Sequence, residues 1–133
     1  CKKCNSKACM GYQTRKRAAK DPKFVFMMRA VGIKRSAQDK GIPVMEGLAE
    51  HLLRLWGRSK GKCYYTGRQM KIDGGYHRDV NAATVDRRNP KRGYVKGNIV
   101  LCVGIANRVK QNLSIAQLYA LIDEMKRYKA GGK

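Results

Sequence analysis

The chain has 133 residues with 30 Lys and Arg against 9 Asp and Glu, so its formal net charge is +21. This length corresponds to one domain with a modest core, and such a charge repels itself unless a polyanion such as nucleic acid neutralises it. A hydrophobic content of 43% argues against a histone-like tail, and the absence of a long apolar run or a signal-like start argues against a membrane protein and favours an intracellular one.

Residues 1–22 are predicted to form a basic arm outside the folded domain, because they are rich in Lys and Arg and hold no acid before Asp21. Cys1, Cys4 and Cys9 place three thiols close together, the first two at chelating spacing. One interpretation is a structural Zn²⁺ site whose fourth ligand comes from elsewhere. The other is a set of free thiols in a reducing compartment.

Residues 23–130 are expected to form the folded domain, which begins with two amphipathic helices. The first is indicated by apolar residues at helical spacing before a stop at Gly41 and Pro43, with a kink near Gly32. The second opens after Pro43 and closes at Gly57, with His51 as a partly buried residue at the edge of its stripe. The two stripes are Phe24, Met27, Met28 and Val31, and Met45, Leu48, Leu52, Leu55 and Trp56.

A short strand that enters a turn is predicted at residues 63–67, and residues 82–111 are predicted to form strand, turn, strand and helix. The β-capable runs 82–87 and 98–103 flank an Asn-Pro-Lys-Arg-Gly sequence, the strongest turn signal in the chain. After Val103, Ile105 and Val109 take helical spacing, which carries a helix to about Gln111.

A capping box at residues 114–117 predicts a closing helix over about residues 114–128. The expected fold class is therefore α+β, a mostly helical small domain around a ββα hairpin-helix element. The apolar stripe of the closing helix is Ile115, Leu118, Leu121, Ile122 and Met125.

Asp86 is the one carboxylate between Asp79 and Asp123, in a stretch rich in Lys and Arg. One interpretation is a surface ion pair of little energetic consequence. The other is a divalent cation held beside a phosphodiester, with the surrounding cations on the flanking phosphates. A carboxylate on a hairpin strand and an amide on the following helix can converge on one ion.

Residues 84–87 (Thr-Val-Asp-Arg), 92–100 (Arg-Gly-Tyr-Val-Lys-Gly-Asn-Ile-Val) and 106–110 (Ala-Asn-Arg-Val-Lys) resemble the HNH endonuclease family. The resemblance is closest to phage and restriction-type members with Asp-Arg in place of Asp-His. It extends over residues 33–68 and so covers about two-thirds of the chain. It implies a ββα-metal fold, one-metal hydrolysis of double-stranded DNA to 5′-phosphate and 3′-hydroxyl ends, and a bacterial or phage-infected cytoplasm.

The resemblance also implies roles for individual residues. Asp86 and Asn107 would hold the catalytic divalent cation, Mg²⁺ or Mn²⁺. Arg87 stands where the family has its general base, and since it stays protonated we expect it to stabilise charge at the scissile phosphate. The base is left open between Tyr94, suggested by Asp-Arg relatives, and His77, whose imidazole has a suitable pKa.

The cations around the motif are interpreted as DNA contacts, although a solvated helix face is an equal alternative for Lys110. Gly93, Gly97 and Asn98 are interpreted as structural residues of the hairpin. The predicted DNA contacts are Arg88, Lys91, Arg92, Lys96, Arg108 and Lys110.

Many HNH proteins brace this element with a Cys4 zinc site, but Val103 and Ala106 stand at two of those positions. Cys63 and Cys102 are therefore expected to be buried thiols. Two functions compete with the nuclease: a non-catalytic nucleic-acid-binding protein, and a zinc-ribbon RNA-binding or ribosome-associated protein. Whether two copies pair as a homodimer is left open.

Overall fold

The computed structural model describes residues 20–72 and 79–131. These residues form four helices and a two-stranded antiparallel hairpin, which confirms the α+β class and the hairpin-helix element. His77, Cys1, Cys4 and Cys9 lie outside the described residues, so their predicted roles stay predictions. The elements are α1 Pro22–Lys40, α2 Leu48–Ser59, β1 Ala83–Arg87, β2 Ile99–Val103, α3 Gly104–Lys110 and α4 Ile115–Gly131.

Helix α1 begins at Pro22, where the Asp21 side chain accepts a hydrogen bond from the Lys23 backbone N–H at 3.1 Å. It runs through Gly32 and ends at Lys40, and it is capped by Gly41, whose left-handed φ of 65° suits a glycine.

The predicted buried stripe of α1 is wrong, because Met27, Met28 and Val31 are each about half exposed. The buried face holds Phe26, Ala30 and Ala37 instead. The Phe26 ring packs against Trp56 of α2, with 5.8 Å between the ring centroids, and this contact sets which face of α1 points inward.

Helix α2 buries its predicted stripe, but its predicted start just after Pro43 is wrong. It begins at Leu48, and Met45 lies before it because residues 43–45 pair with Tyr94 of the hairpin loop. Leu48 and Leu52 are fully buried and His51 is nearly so, which places the expected stripe against the hairpin and α1. The helix passes Gly57 by two residues and ends at Ser59, and the capping residue Lys60 takes a left-handed φ of 54°.

The strand predicted at residues 63–67 is wrong. Residues 64–66 form a turn closed by a hydrogen bond from the Gly67 N–H to the Cys63 carbonyl at 2.9 Å. Gly67 has a φ of 72°, which breaks extended pairing, and the local ladder is reduced to a single bridge between Lys62 and Gln69.

Strands β1 and β2 pair from Ala83 with Val103 to Arg87 with Ile99. Every residue of β2 is buried, so this strand is part of the core. Helix α3 follows β2 without a loop. Cys63 and Cys102 are both buried free thiols, as expected.

Helix α4 begins with the predicted capping box. The Ser114 hydroxyl accepts from the Gln117 backbone N–H at 3.2 Å, and the Gln117 side chain accepts from the Ser114 N–H at 2.9 Å. No residue of α4 is buried, and Leu121 and Met125 are 45% and 61% exposed. The prediction that α4 closes the core is therefore wrong for the described residues, because the apolar stripe of α4 does not enter the core that they form.

None of the helices in residues 20–72 and 79–131 combines the length and the hydropathy that crossing a bilayer requires.

Candidate active site

A cavity of about 520 Å³ lies where β1, the hairpin loop and α3 meet helix α1. It brings together four of the residues predicted from the sequence to carry chemistry. Among the described residues that line it, Asp86 is the one acid. We call it the Asp86 cavity; its polar and charged lining includes Asp86, Arg87, Tyr94, Asn107, Arg29, Lys40 and Arg108.

Asp86 lies on β1 and is only 7% exposed. Its Oδ2 atom accepts a hydrogen bond of 2.6 Å from the Tyr65 hydroxyl and lies 3.0 Å from Nζ of Lys110. The ion pair considered from the sequence is therefore present, with Lys110 as the partner, but its expected surface location is wrong because both residues are buried.

Lys110, the last residue of α3, is 1% exposed. Besides the carboxylate, its ammonium donates to the Arg87 carbonyl at 3.0 Å. The solvated helix face considered for Lys110 is wrong, since one helical turn after Asn107 the side chain points at β1. Its ammonium lies against Asp86 rather than at the surface where a DNA phosphate would bind.

Asn107 is held on α3 by hydrogen bonds to β1. Its amide nitrogen donates to the Thr84 hydroxyl at 3.1 Å and to the Val85 carbonyl at 3.2 Å. The Thr84 hydroxyl in turn donates to the Cys102 carbonyl at 2.8 Å. With the nitrogen committed to the strand, the amide oxygen is the atom that Asn107 can offer to a cation.

Arg87 and Tyr94 meet on the hairpin side of the cavity. The Arg87 guanidinium donates from Nη1 to the carbonyls of Pro90 and Arg92 at 3.0 and 3.1 Å and lies 5.2 Å from the centre of the Tyr94 ring. Tyr94 is fixed by its backbone, which donates to the Pro43 carbonyl at 2.8 Å. A fixed guanidinium of this kind is a preorganised site for a phosphate oxygen.

The structure confirms that Asn98 is a structural residue of the hairpin. Its buried amide donates to the carbonyls of Asn89 and Gly93 and accepts from the Asn89 N–H, all within 3.0 Å. Gly97 has a φ of 87°, and a Cβ at Gly93 would collide with the Pro43 carbonyl oxygen. These residues set the loop that positions Arg87.

Tyr65 is a site residue that sequence reasoning missed. Burial, and then the hydrogen bond to Asp86, raise the pKa of Tyr65 well above its usual range. The hydroxyl therefore stays protonated and donates to the carboxylate, so Tyr65 cannot act as the base. It is 21 residues from Asp86 in the sequence, and no local signal pairs the two.

The remaining predicted DNA contacts are exposed residues of the hairpin and α3. A neighbouring cavity of about 910 Å³ is lined in part by Lys40, Arg87, Lys91 and Arg92, so positive charge continues from the Asp86 cavity around the loop. Arg88 lies 5.5 Å from the centre of the exposed Tyr64 ring on the other side of the hairpin. The exposed cations are Arg88, Lys91, Arg92, Lys96 and Arg108.

Comparisons of the chain with protein-family models, with curated proteins and with solved structures gave no match. The resemblance to HNH endonucleases therefore stays an expectation from the sequence.

No cluster of three or more His, Cys, Asp or Glu that could hold a metal occurs in residues 20–72 and 79–131. The oxygen donors of the Asp86 cavity include the carboxylate of Asp86 and the side-chain amides of Asn107, Gln111 and Asn112. That set suits Mg²⁺ or Mn²⁺, which prefer oxygen ligands and keep several water molecules beside one or two protein ligands and a substrate phosphate. The donors fit such a cation, while the charge of Lys110 opposes its binding.

Proposed function

We propose that this protein is a metal-dependent endonuclease that hydrolyses phosphodiester bonds of double-stranded DNA in the Asp86 cavity. The observation that carries the proposal is the meeting of the Asp86 carboxylate, the Asn107 amide and the Arg87 guanidinium in one open cavity whose other charged groups are cations. One anionic oxygen site among cations is suited to a divalent cation and a phosphate together.

In this proposal Asp86 and Asn107 hold a divalent cation, which supplies charge stabilisation at the scissile phosphate when bound. Arg87 binds a non-bridging phosphate oxygen and stabilises the charge that develops during attack by water. The exposed cations of the hairpin and α3 bind flanking phosphates and set the register of the duplex.

Two candidates remain for the group that accepts the proton of the attacking water. Tyr94 lines the cavity, and its ring lies 5.2 Å from the guanidinium carbon of Arg87. His77 carries an imidazole, a group whose ordinary pKa suits a base near neutral pH, and it lies outside the described residues. Loss of cleavage in Tyr94→Phe with retention in His77→Gln would assign the base to Tyr94, and the reverse pattern would assign it to His77.

A non-catalytic nucleic-acid-binding protein is the second candidate. The ion pair between Asp86 and Lys110 favours it, because the carboxylate of the free protein is already neutralised. The same cationic surface would then bind DNA or RNA through phosphates alone.

Nicking of supercoiled plasmid DNA distinguishes the two candidates. The nuclease requires Mg²⁺ or Mn²⁺, loses activity in chelator, and slows by about a thousandfold or more in Asp86→Ala. Asp123→Ala is the matched control, because Asp123 is an exposed carboxylate on α4. Equal nicking by both variants, or no nicking by the wild-type protein with either metal, would refute the enzyme.

A further inference from the structure

Lys110 is the least expected residue of the site, because an ammonium group is among the most costly to bury. It ends α3 with 1% of its surface exposed, while the lysines predicted to contact DNA on the hairpin are exposed. A buried ammonium persists only where oxygen atoms replace its water, and at this point of the fold they do.

The ammonium is held by two oxygen atoms from β1. Nζ lies 3.0 Å from Oδ2 of Asp86 and 3.0 Å from the carbonyl oxygen of Arg87. The Tyr65 hydroxyl donates to the same Oδ2. One oxygen of the carboxylate thus already has a full positive charge and a neutral donor beside it, and a second cation that approaches this carboxylate meets the charge of the first.

We propose that the Lys110 ammonium is a resident counter-ion of the Asp86 site, which competes with the divalent cation for the carboxylate and sets its affinity. This inference rests on the proposed function. In the free protein Lys110 holds Oδ2 of Asp86 at 3.0 Å, and the divalent cation binds weakly.

DNA phosphates change this balance. They bring negative charge into a cavity whose charged lining residues besides Asp86 are Arg29, Lys40, Arg87 and Arg108. The divalent cation is then attracted by carboxylate and phosphate together and binds more tightly with DNA than without it. Metal loading is thereby coupled to substrate binding.

Binding of Mn²⁺ to the full chain without DNA tests the inference, with the free ion measured by electron paramagnetic resonance. We expect Lys110→Met to bind Mn²⁺ about tenfold more tightly than the wild-type protein, because the competing charge is gone. Lys126→Met removes an exposed cation from α4 and should leave the affinity unchanged. Lys110→Gln keeps a hydrogen-bond donor for Asp86 and should show the same gain. It replaces Lys110→Met in the measurement if that variant folds poorly.

Thermal unfolding with and without Mn²⁺ gives a second measurement. The unpaired carboxylate should lower the unfolding midpoint of Lys110→Met. Mn²⁺ should raise this midpoint by more than it raises the midpoint of the wild-type protein. The double variant Asp86→Asn with Lys110→Met removes both charges and should not respond to Mn²⁺.

Equal Mn²⁺ affinity in wild type, Lys110→Met and Lys110→Gln would overturn the role of Lys110 while leaving the proposed nuclease intact, provided that Asp86→Asn abolishes binding. A gain in Mn²⁺ affinity that persists in the double variant Asp86→Asn with Lys110→Met would also overturn the role of Lys110. Absence of Mn²⁺ binding in every variant, with and without DNA, would remove the metal site and the proposed function together.

Discussion

The hairpin-helix element and helix α4 are neighbours in the sequence, and both begin as predicted, but their side chains have different surroundings. Strand β2 is buried at every position, and the polar residues Asp86, Asn98 and Lys110 bond within the element. Helix α4 has its capping box and its apolar stripe, yet none of its residues is buried.

The two regions show that a local signal can specify a helix without specifying what covers its apolar face. Helical spacing and a cap determine that a segment is a helix, because they act over one or two turns. Whether its apolar face is covered depends on the rest of the molecule. The packed element should therefore carry the free energy of unfolding, and α4 should contribute little to it.

The largest expected effect comes from one leucine in each region. Leu101→Ala on β2 removes a side chain that is 3% exposed and should lower the free energy of unfolding by about 3 kcal/mol. Leu121→Ala on α4, 45% exposed, should lower it by less than about 1 kcal/mol. Urea denaturation of both variants measures the difference, and equal losses would show that α4 is covered in solution.

Asn98→Ala tests the polar interior of the hairpin. The change removes three hydrogen bonds and leaves loop groups unpaired, so we expect a loss of about 2 to 3 kcal/mol. Asn112→Ala is the matched control, because Asn112 is exposed just after α3. A loss as small as in the control would mean that water replaces the Asn98 bonds.

Ser114→Ala sharpens the comparison from the side of α4. Loss of the cap should destabilise this helix by about 1 kcal/mol locally. Hydrogen exchange should accelerate at the amides of α4, while the midpoint of cooperative unfolding stays that of the wild type. A matching fall in the midpoint would contradict the separation of the two regions.

The smallest effect is a pH dependence from His51 of α2. Burial, and then the nearby Arg54, Lys96 and Arg58, lower the pKa of His51 below its ordinary value of 6.5. The unfolded chain therefore takes up this proton first as the pH falls through 6.5, and stability declines on the acid side. The unfolding midpoint should fall between about pH 7.5 and pH 5.5, and this fall should be smaller in His51→Gln. An identical slope in both proteins would exclude His51 as its source.

Local signals predicted the hairpin well. Both strands lie within one residue of their predicted starts, because a turn sequence and two β-capable runs specify a hairpin over short range. The motif spacing in the same segment singled out Asp86, Arg87, Tyr94 and Asn107, and all four line one cavity. This much of the site follows from one element of the fold.

Contacts between distant segments could not be predicted. The inward face of α1 was misassigned because Met27 and Met28 dominate a hydrophobic pattern, whereas the buried alanines Ala30 and Ala37 carry little weight in it. Lys110 reaches a carbonyl 23 residues away and Tyr65 a carboxylate 21 residues away. Only the packing of α3 and the turn after Cys63 against β1 determines these pairs.

The most direct test of the account is plasmid nicking in Mn²⁺ by the double variant Asp86→Asn with Lys110→Met. It removes the buried charge pair together, so the fold and the cationic DNA-binding surface should persist, as checked by thermal unfolding and by salt-dependent DNA binding. We predict a folded, DNA-binding protein with no cleavage above background. Cleavage at the wild-type rate would contradict the claim that the Asp86 carboxylate holds the catalytic cation.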